Sequence, residues 1–223
     1  MERSLKQYEE ARKEAALIAA KLILASAVTS PRLGGVGEIA IQLYHDDADI
    51  EDICIKMEEM SADNPAWKFF KRDAAMLRDA NALLIMSSLR SLTDPADINC
   101  NYCGYVTCEY MREVEKLPKE PGLAFTGPLC FLRADNMGFA LDGGISLARN
   151  LGIDYGVFWS AGAAAMKMGI LPKDTGIAIG LALSVSEKSP FRDIPVRYDE
   201  INERTMMDRV IRRLYPQFRS IYS

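Results

Sequence analysis

Cys100, Cys103, Cys108 and Cys130 are spaced C-x2-C-x4-C-x21-C, so that three thiols share one short loop and the fourth lies far along the chain. Thiolates are soft donors, and four of them suit either a cubane iron–sulfur cluster or a structural zinc ion. The division of the ligands separates the two. Zinc usually takes its thiolates in pairs from two short knuckles, whereas here they divide three and one. The expectation is one 4Fe-4S cluster on all four cysteines, with zinc as the alternative and unligated or disulfide-forming thiols as a third reading. Gly104, beside Cys103, permits the sharp turn that three ligands on one loop require. Gly127 and Pro128 keep the approach to Cys130 out of regular structure. Tyr102, Tyr105 and Phe131 lie next to ligand positions and would shield such a cluster from water.

Other reactive side chains carry less. His45 is the sole histidine, so no Ser-His-Asp or multi-histidine site can be assembled within one chain, and its place before Asp46 and Asp47 reads as surface. Cys54, between Ile53 and Ile55, reads as a small buried hydrophobe. The carboxylates from Asp46 to Asp52 lack the alternate spacing and glycine of a calcium loop and read as a solvated helix start.

The elements that must position the cysteines follow from periodicity. Apolar residues at three-to-four spacing predict a long helix over Leu5 to Val28, ended by Pro31 and the glycines Gly34, Gly35 and Gly37. Glu38 to Tyr44 alternates as a strand does, and helices are predicted over Ile50 to Met60 and Ala66 to Asp79. Ala82 to Met86 is apolar throughout, as in a central strand covered on both faces. Beyond Cys130 the predicted order is a helix from Asn136 to Leu151, a strand from Tyr155 to Trp159, an alanine-rich helix from Ala161 to Met168 and a strand from Ile177 to Val185. The mid-helix pair Gly143 and Gly144 signals close approach of another backbone or a ligand. An amphipathic helix is predicted from Tyr198 to Tyr215. The fold class is α+β, a helix-covered mixed or antiparallel sheet with residues 93–131 inserted as a cysteine-rich loop, in a single domain over residues 1–223.

Composition sets the outer limits. About half of the 223 residues are hydrophobic and a quarter charged, a globular balance. The net charge of -4 provides no broad positive field, which argues against nucleic acid as a partner. The longest apolar run, Gly176 to Val185, falls well short of the ~20 residues a membrane-spanning helix needs. The first ten residues carry no continuous apolar stretch of the secretory kind, so the expectation is a cytoplasmic protein with no membrane partner.

Cys-x-x-Cys-Gly-x-x-Thr-Cys, as Cys100 to Cys108 stands, resembles the 4Fe-4S domain of corrinoid iron–sulfur proteins and of some membrane electron-transport subunits. From about Ala15 to Asp193 the chain resembles a family of uncharacterised bacterial and archaeal proteins containing a ferredoxin domain. The matching stretches include Thr29-Ser30-Pro31, Arg72-Asp73, the cysteine loop, Gly127-Pro128-Leu129-Cys130, Ala161 to Ala164, Gly180 to Ser184 and Phe191-Arg192-Asp193. The order of elements after Cys130, with the helix from Asp142 to Gly152, also resembles nitroreductase-like flavoproteins. That resemblance implies FMN held near the end of the first helix by Ser30, Arg32, Gly34 and Gly35, and a homodimer. The function these readings imply is electron transfer through the cluster to or from a partner protein, extending to an FMN-dependent reductase. The alternatives are a cluster-based sensory or binding protein and a zinc-stabilised domain.

Overall fold

A computed structural model describes residues 2–33, 39–90, 97–117, 125 and 127–192. Residues 1–191 form one compact unit, and residues 192–223 a second of which only Arg192 is described; the predicted helix over Tyr198 to Tyr215 lies outside the described residues.

Among the described residues four strands form one antiparallel sheet: β1 (Ile39–Tyr44), β2 (Ala82–Leu89), β3 (Asp154–Phe158) and β4 (Thr175–Ser184), in the order β1-β2-β4-β3. Among the described residues the helices are α1 (Glu2–Val28), α2 (Asp47–Asp63), α3 (Phe69–Leu77), α4 (Cys108–Glu115), α5 (Phe131–Asn150) and α6 (Trp159–Met168). The expected α+β class with a helix-covered sheet is the architecture found, and of the two arrangements left open, mixed or antiparallel, the sheet is antiparallel.

The two faces of the sheet follow from the two-residue period of its central strands. Leu83 and Ile85 of β2 join Ala178 and Ala182 of β4 in a core shared with α2, α3 and α6. Ala82, Leu84 and Met86 join Leu181 and Leu183 on the other face, under α1 and α5. With cover on both sides, β2 is buried from Ala82 to Ser88, which is why its sequence is apolar without alternation.

Small residues set how closely the helices approach. A Cβ on Gly162 of α6 would lie 2.0 Å from the carbonyl oxygen of Ala178, so the alanine-rich helix rests directly on the backbone of β4. A Cβ on Gly143 of α5 would lie 2.0 Å from Ser30 Oγ and 3.2 Å from the Ser26 carbonyl. The close approach that the Gly143-Gly144 pair signals is therefore that of α1, and Ser26 Oγ donates to the Gly143 carbonyl at 2.9 Å across it. Gly144 faces Leu181, Ile23 and Met86 in the core below.

Gly162→Ala forces a methyl into a carbonyl that cannot move without moving the sheet, and it is expected to cost about 1–3 kcal/mol in urea unfolding. Gly138→Ala on α5, where a Cβ meets nothing within 4 Å, is the contrast and is expected to be neutral or to stabilise by up to about 1 kcal/mol.

Candidate metal centre

The cysteine segment leaves the sheet at the end of β2 and returns at the start of α5. Its exit is anchored by Arg90, whose backbone N–H donates to the Asp174 carbonyl at 2.6 Å and whose Nε lies 3.4 Å from Glu115 Oε1 at the end of α4. Both side chains of that ion pair are largely buried, so α4 is tied to the sheet through a desolvated contact.

Between those anchors the backbone turns repeatedly. Asn99, Asn101 and Gly104 all take positive φ, at 50°, 62° and 83°, a region open to glycine and, more than to other residues, to asparagine. The Gly104 N–H closes the turn onto the Asn101 carbonyl at 3.0 Å. The turn expected from Gly104 is present, and the two asparagines extend it.

The loop then enters α4 through Thr107, whose hydroxyl accepts from the Tyr110 N–H at 3.2 Å. Cys108 is the first residue of that helix, and its N–H donates to Asn99 Oδ1 at 2.8 Å. Cys130, reached through a cis Gly127–Pro128 bond, is the N-cap residue of α5 and makes no side-chain cap hydrogen bond. Two of the four cysteines thus stand at helix N-termini.

Cys100, Cys108 and Cys130 line one cavity together with Met111, Leu132, Arg133 and Asn136. Cys103, half-buried, is not part of that lining. All five cysteines are free thiols, and among the described residues no three His, Cys, Asp or Glu side chains stand close enough to hold a metal ion as they are. The donor set is soft, with thiols from a tight loop and a distant helix start of which three line one cavity, a chemistry that suits an iron–sulfur cluster or zinc. The Cys108 thiol is raised above its ordinary pKa by burial and by its hydrogen bond to the Asp97 carboxylate. Asp97 in turn is held below the usual carboxylate range by Arg112, which donates to it, and by Cys108.

Sequence reading missed two residues of this cavity. Arg133 and Asn136 are 2% and 0% exposed, and both occupy the buried stripe of α5 that continues through Met137 and Ala140. A polar residue at an apolar stripe position is the signal that could have found them. Arg133 donates to the Leu89 carbonyl at 3.4 Å. Asn136 accepts from the Leu33 N–H at 2.7 Å and donates to the Leu33 carbonyl at 3.4 Å, pinning the chain beyond α1 to the cavity wall.

The expected flavin residues lie at this junction. The Ser30 hydroxyl donates to the Ser26 carbonyl at 3.0 Å and packs against Gly143. The Arg32 guanidinium donates to the carbonyls of Ser30 and Ala27 at 3.1 and 3.4 Å, closing the C-terminus of α1, and burial lowers its pKa. Gly34 and Gly35 lie outside the described residues. Cys54 is fully buried in the α2–α3 core, where burial pushes its thiol up to about 12, and His45 is exposed, 3.6 Å from Asp46.

Residues 126–194 match a protein family described as "Uncharacterized protein containing a ferredoxin domain (DUF2148)", a stretch that includes Cys130 and begins after the three-cysteine loop. A protein of Archaeoglobus fulgidus, described as an uncharacterized protein, is 33% identical over 180 residues, which are 81% of this chain and 92% of that one. The chain belongs to this ferredoxin-domain family. Among solved structures the ferredoxin-domain chain is similar to B. megaterium NfrA2, at 15% identity and a TM-score of 0.44 over 77% of its residues, and spans 58% of that protein's length. It is also similar to nitroreductase A of Vibrio parahaemolyticus, at 12% identity and a TM-score of 0.49, over 89% of this chain and 75% of that one. Likeness at that distance has no bearing on chemistry.

Among the described residues no helix is long and apolar enough to cross a membrane.

Replacing Asn136 by leucine keeps the branching at Cγ and strips both bonds to Leu33. It is expected to destabilise the fold by about 1–3 kcal/mol, read from the midpoint of urea unfolding, because a half-buried N–H loses its partner.

Proposed function

We propose that Cys100, Cys103, Cys108 and Cys130 hold one 4Fe-4S cluster and that the protein passes electrons through it. The observation that carries this reading is the cavity shared by Cys100, Cys108 and Cys130, two of them at helix N-termini. The membership of a family described by its ferredoxin domain supports it. When bound, such a cluster supplies one-electron transfer. On this reading Cys103 turns toward the other three as the cluster assembles.

The chain's own residues have separate tasks. Cys108 and Cys130 are presented from the N-termini of α4 and α5. Met111 and Leu132 exclude water from the apolar side, and the ring pair Tyr102 and Phe131, with centroids 5.3 Å apart, covers the outer side of the loop. Arg112 pairs with Asp97, the carboxylate that also bonds the Cys108 thiol, and so holds that carboxylate in place beside the site.

An FMN-dependent reductase on the same scaffold extends this reading. It is supported by Asn136, which joins the segment beyond α1 to the cysteine cavity and so brings the residues suited to a flavin phosphate beside the cluster site. Ser30 and Arg32 are the described residues available, and phosphate binding there requires Arg32 to give up the carbonyls it now caps. The partner is an electron donor or acceptor protein, and the setting is the cytoplasm.

Anaerobic purification followed by iron and acid-labile sulfide analysis tests the reading. The wild-type chain and Cys54→Ser are each expected to carry about four irons and four sulfides, and Cys103→Ser none. A colourless wild-type protein containing zinc would favour the structural alternative, and a cluster that survives Cys103→Ser would remove that residue from the ligand set. Acid release of a yellow fluorescent cofactor, reduced by Arg32→Ala, is the result expected for the flavin extension.

A further inference from the structure

A guanidinium stays protonated inside a protein, and taking it out of water costs free energy unless negative charge stands near. Arg133 is 2% exposed and lines the same cavity as Cys100, Cys108 and Cys130. It is the third residue of α5, with Cys130 at the N-cap, and a side chain at that position reaches back toward the cap residue. Its Nη1 donates to the Leu89 carbonyl at 3.4 Å, a long bond to a neutral acceptor. Among the described residues lining the cavity, the charged side chains other than the cysteines are one carboxylate, Asp97, and two guanidiniums, Arg112 and Arg133. Asp97 is paired with Arg112.

We propose, on the cluster reading above, that Arg133 is the counter-charge of the metal centre and sets how readily that centre accepts an electron. Four thiolates outweigh the charge of the zinc ion or iron–sulfide core they surround, so a loaded tetrathiolate site is net anionic, and a one-electron reduction makes it more so. A fixed cation on the buried wall therefore stabilises the loaded site over the empty one, and the reduced site over the oxidised. Salt screens a buried charge weakly, so the effect persists at physiological ionic strength. Loading in turn brings the guanidinium the anionic charge at close range that its burial calls for.

The other task open to Arg133 is to tie α5 to the end of β2 through Leu89, and charge separates the two roles. Glutamine at this position keeps an N–H donor for the carbonyl and loses the charge, whereas lysine keeps the charge on a different donor. Arg149, exposed near the other end of α5 and about 28 Å along the helix from Cys130, serves as a control for the loss of a cation from the same helix.

The full-length wild type, Arg133→Gln, Arg133→Lys and Arg149→Gln are to be reconstituted anaerobically with iron and sulfide and titrated with dithionite in the presence of redox dyes. The zinc affinity of each unloaded chain is measured in parallel by competition with a chromophoric chelator. Arg133→Gln is expected to lower the constant for one-electron reduction about tenfold, a shift of about 59 mV to more negative potential, and to weaken zinc binding about tenfold. Arg133→Lys is expected to stay within about threefold of wild type in both, and Arg149→Gln to match wild type. A potential or a zinc affinity unmoved by Arg133→Gln, or moved as far by Arg133→Lys or Arg149→Gln, would overturn the proposal. A wild type that takes up zinc but no iron and sulfide defeats the cluster reading, and the zinc series then decides the role of Arg133 by itself. A wild type that takes up neither defeats the centre and its counter-charge together. Should Arg133→Gln fail to fold, Arg133→Met, which keeps an unbranched stem without charge, is read in its place.

Discussion

The position of α5 is the constraint on which the rest depends. Its two central glycines remove the side chains that would hold α1 and the sheet away, so Ser26 and Ser30 reach its backbone from one side while Leu181, Ile23 and Met86 meet it from below. A helix so closely held has no freedom to slide, and its N-terminus is therefore fixed relative to β2. Cys130 is the residue at that N-terminus. The fourth sulfur is thus positioned by core packing, and the loop carrying the first three is brought to it.

The loop is held by contacts of a different kind. The buried pair of Arg90 and Glu115 ties the end of α4 to the end of β2, and the three left-handed residues Asn99, Asn101 and Gly104 fold the chain tightly enough to return Cys108 toward Cys100. Asp97 and Arg112 add an ion pair at the cavity rim. Rigid packing on one side and polar bracing on the other leave a cavity walled by both.

Much of the fold was legible because its apolar positions keep a clean period. α1, β2, α6 and β4 were readable within a few residues, and the apolar run of β2 correctly indicated cover on both faces. α4 left no such signal, since a helix of 8 residues with Met111 as its buried residue is too short to show a period. α5 begins at Phe131 rather than Asn136, because Arg133 and Asn136 interrupt the apolar stripe with polar residues that the cavity and the Leu33 backbone require. The antiparallel direction of the strands depends on long-range pairing, which single-sequence periodicity does not encode. In the site, Cys130 shares a cavity with Cys100 and Cys108, whereas Cys103 is not part of that lining. Ser30 and Arg32 read as flavin-phosphate ligands through the resemblance to nitroreductase-like flavoproteins. Their hydroxyl and guanidinium bonds to the end of α1 are visible only once the helix is folded.

Mössbauer spectroscopy of the chain reconstituted anaerobically with iron-57 and sulfide examines the centre most directly. The account predicts the signal of one four-iron cubane with thiolate ligation at every iron. A spectrum of isolated high-spin iron in a tetrathiolate site, or no retained iron at all, would contradict it.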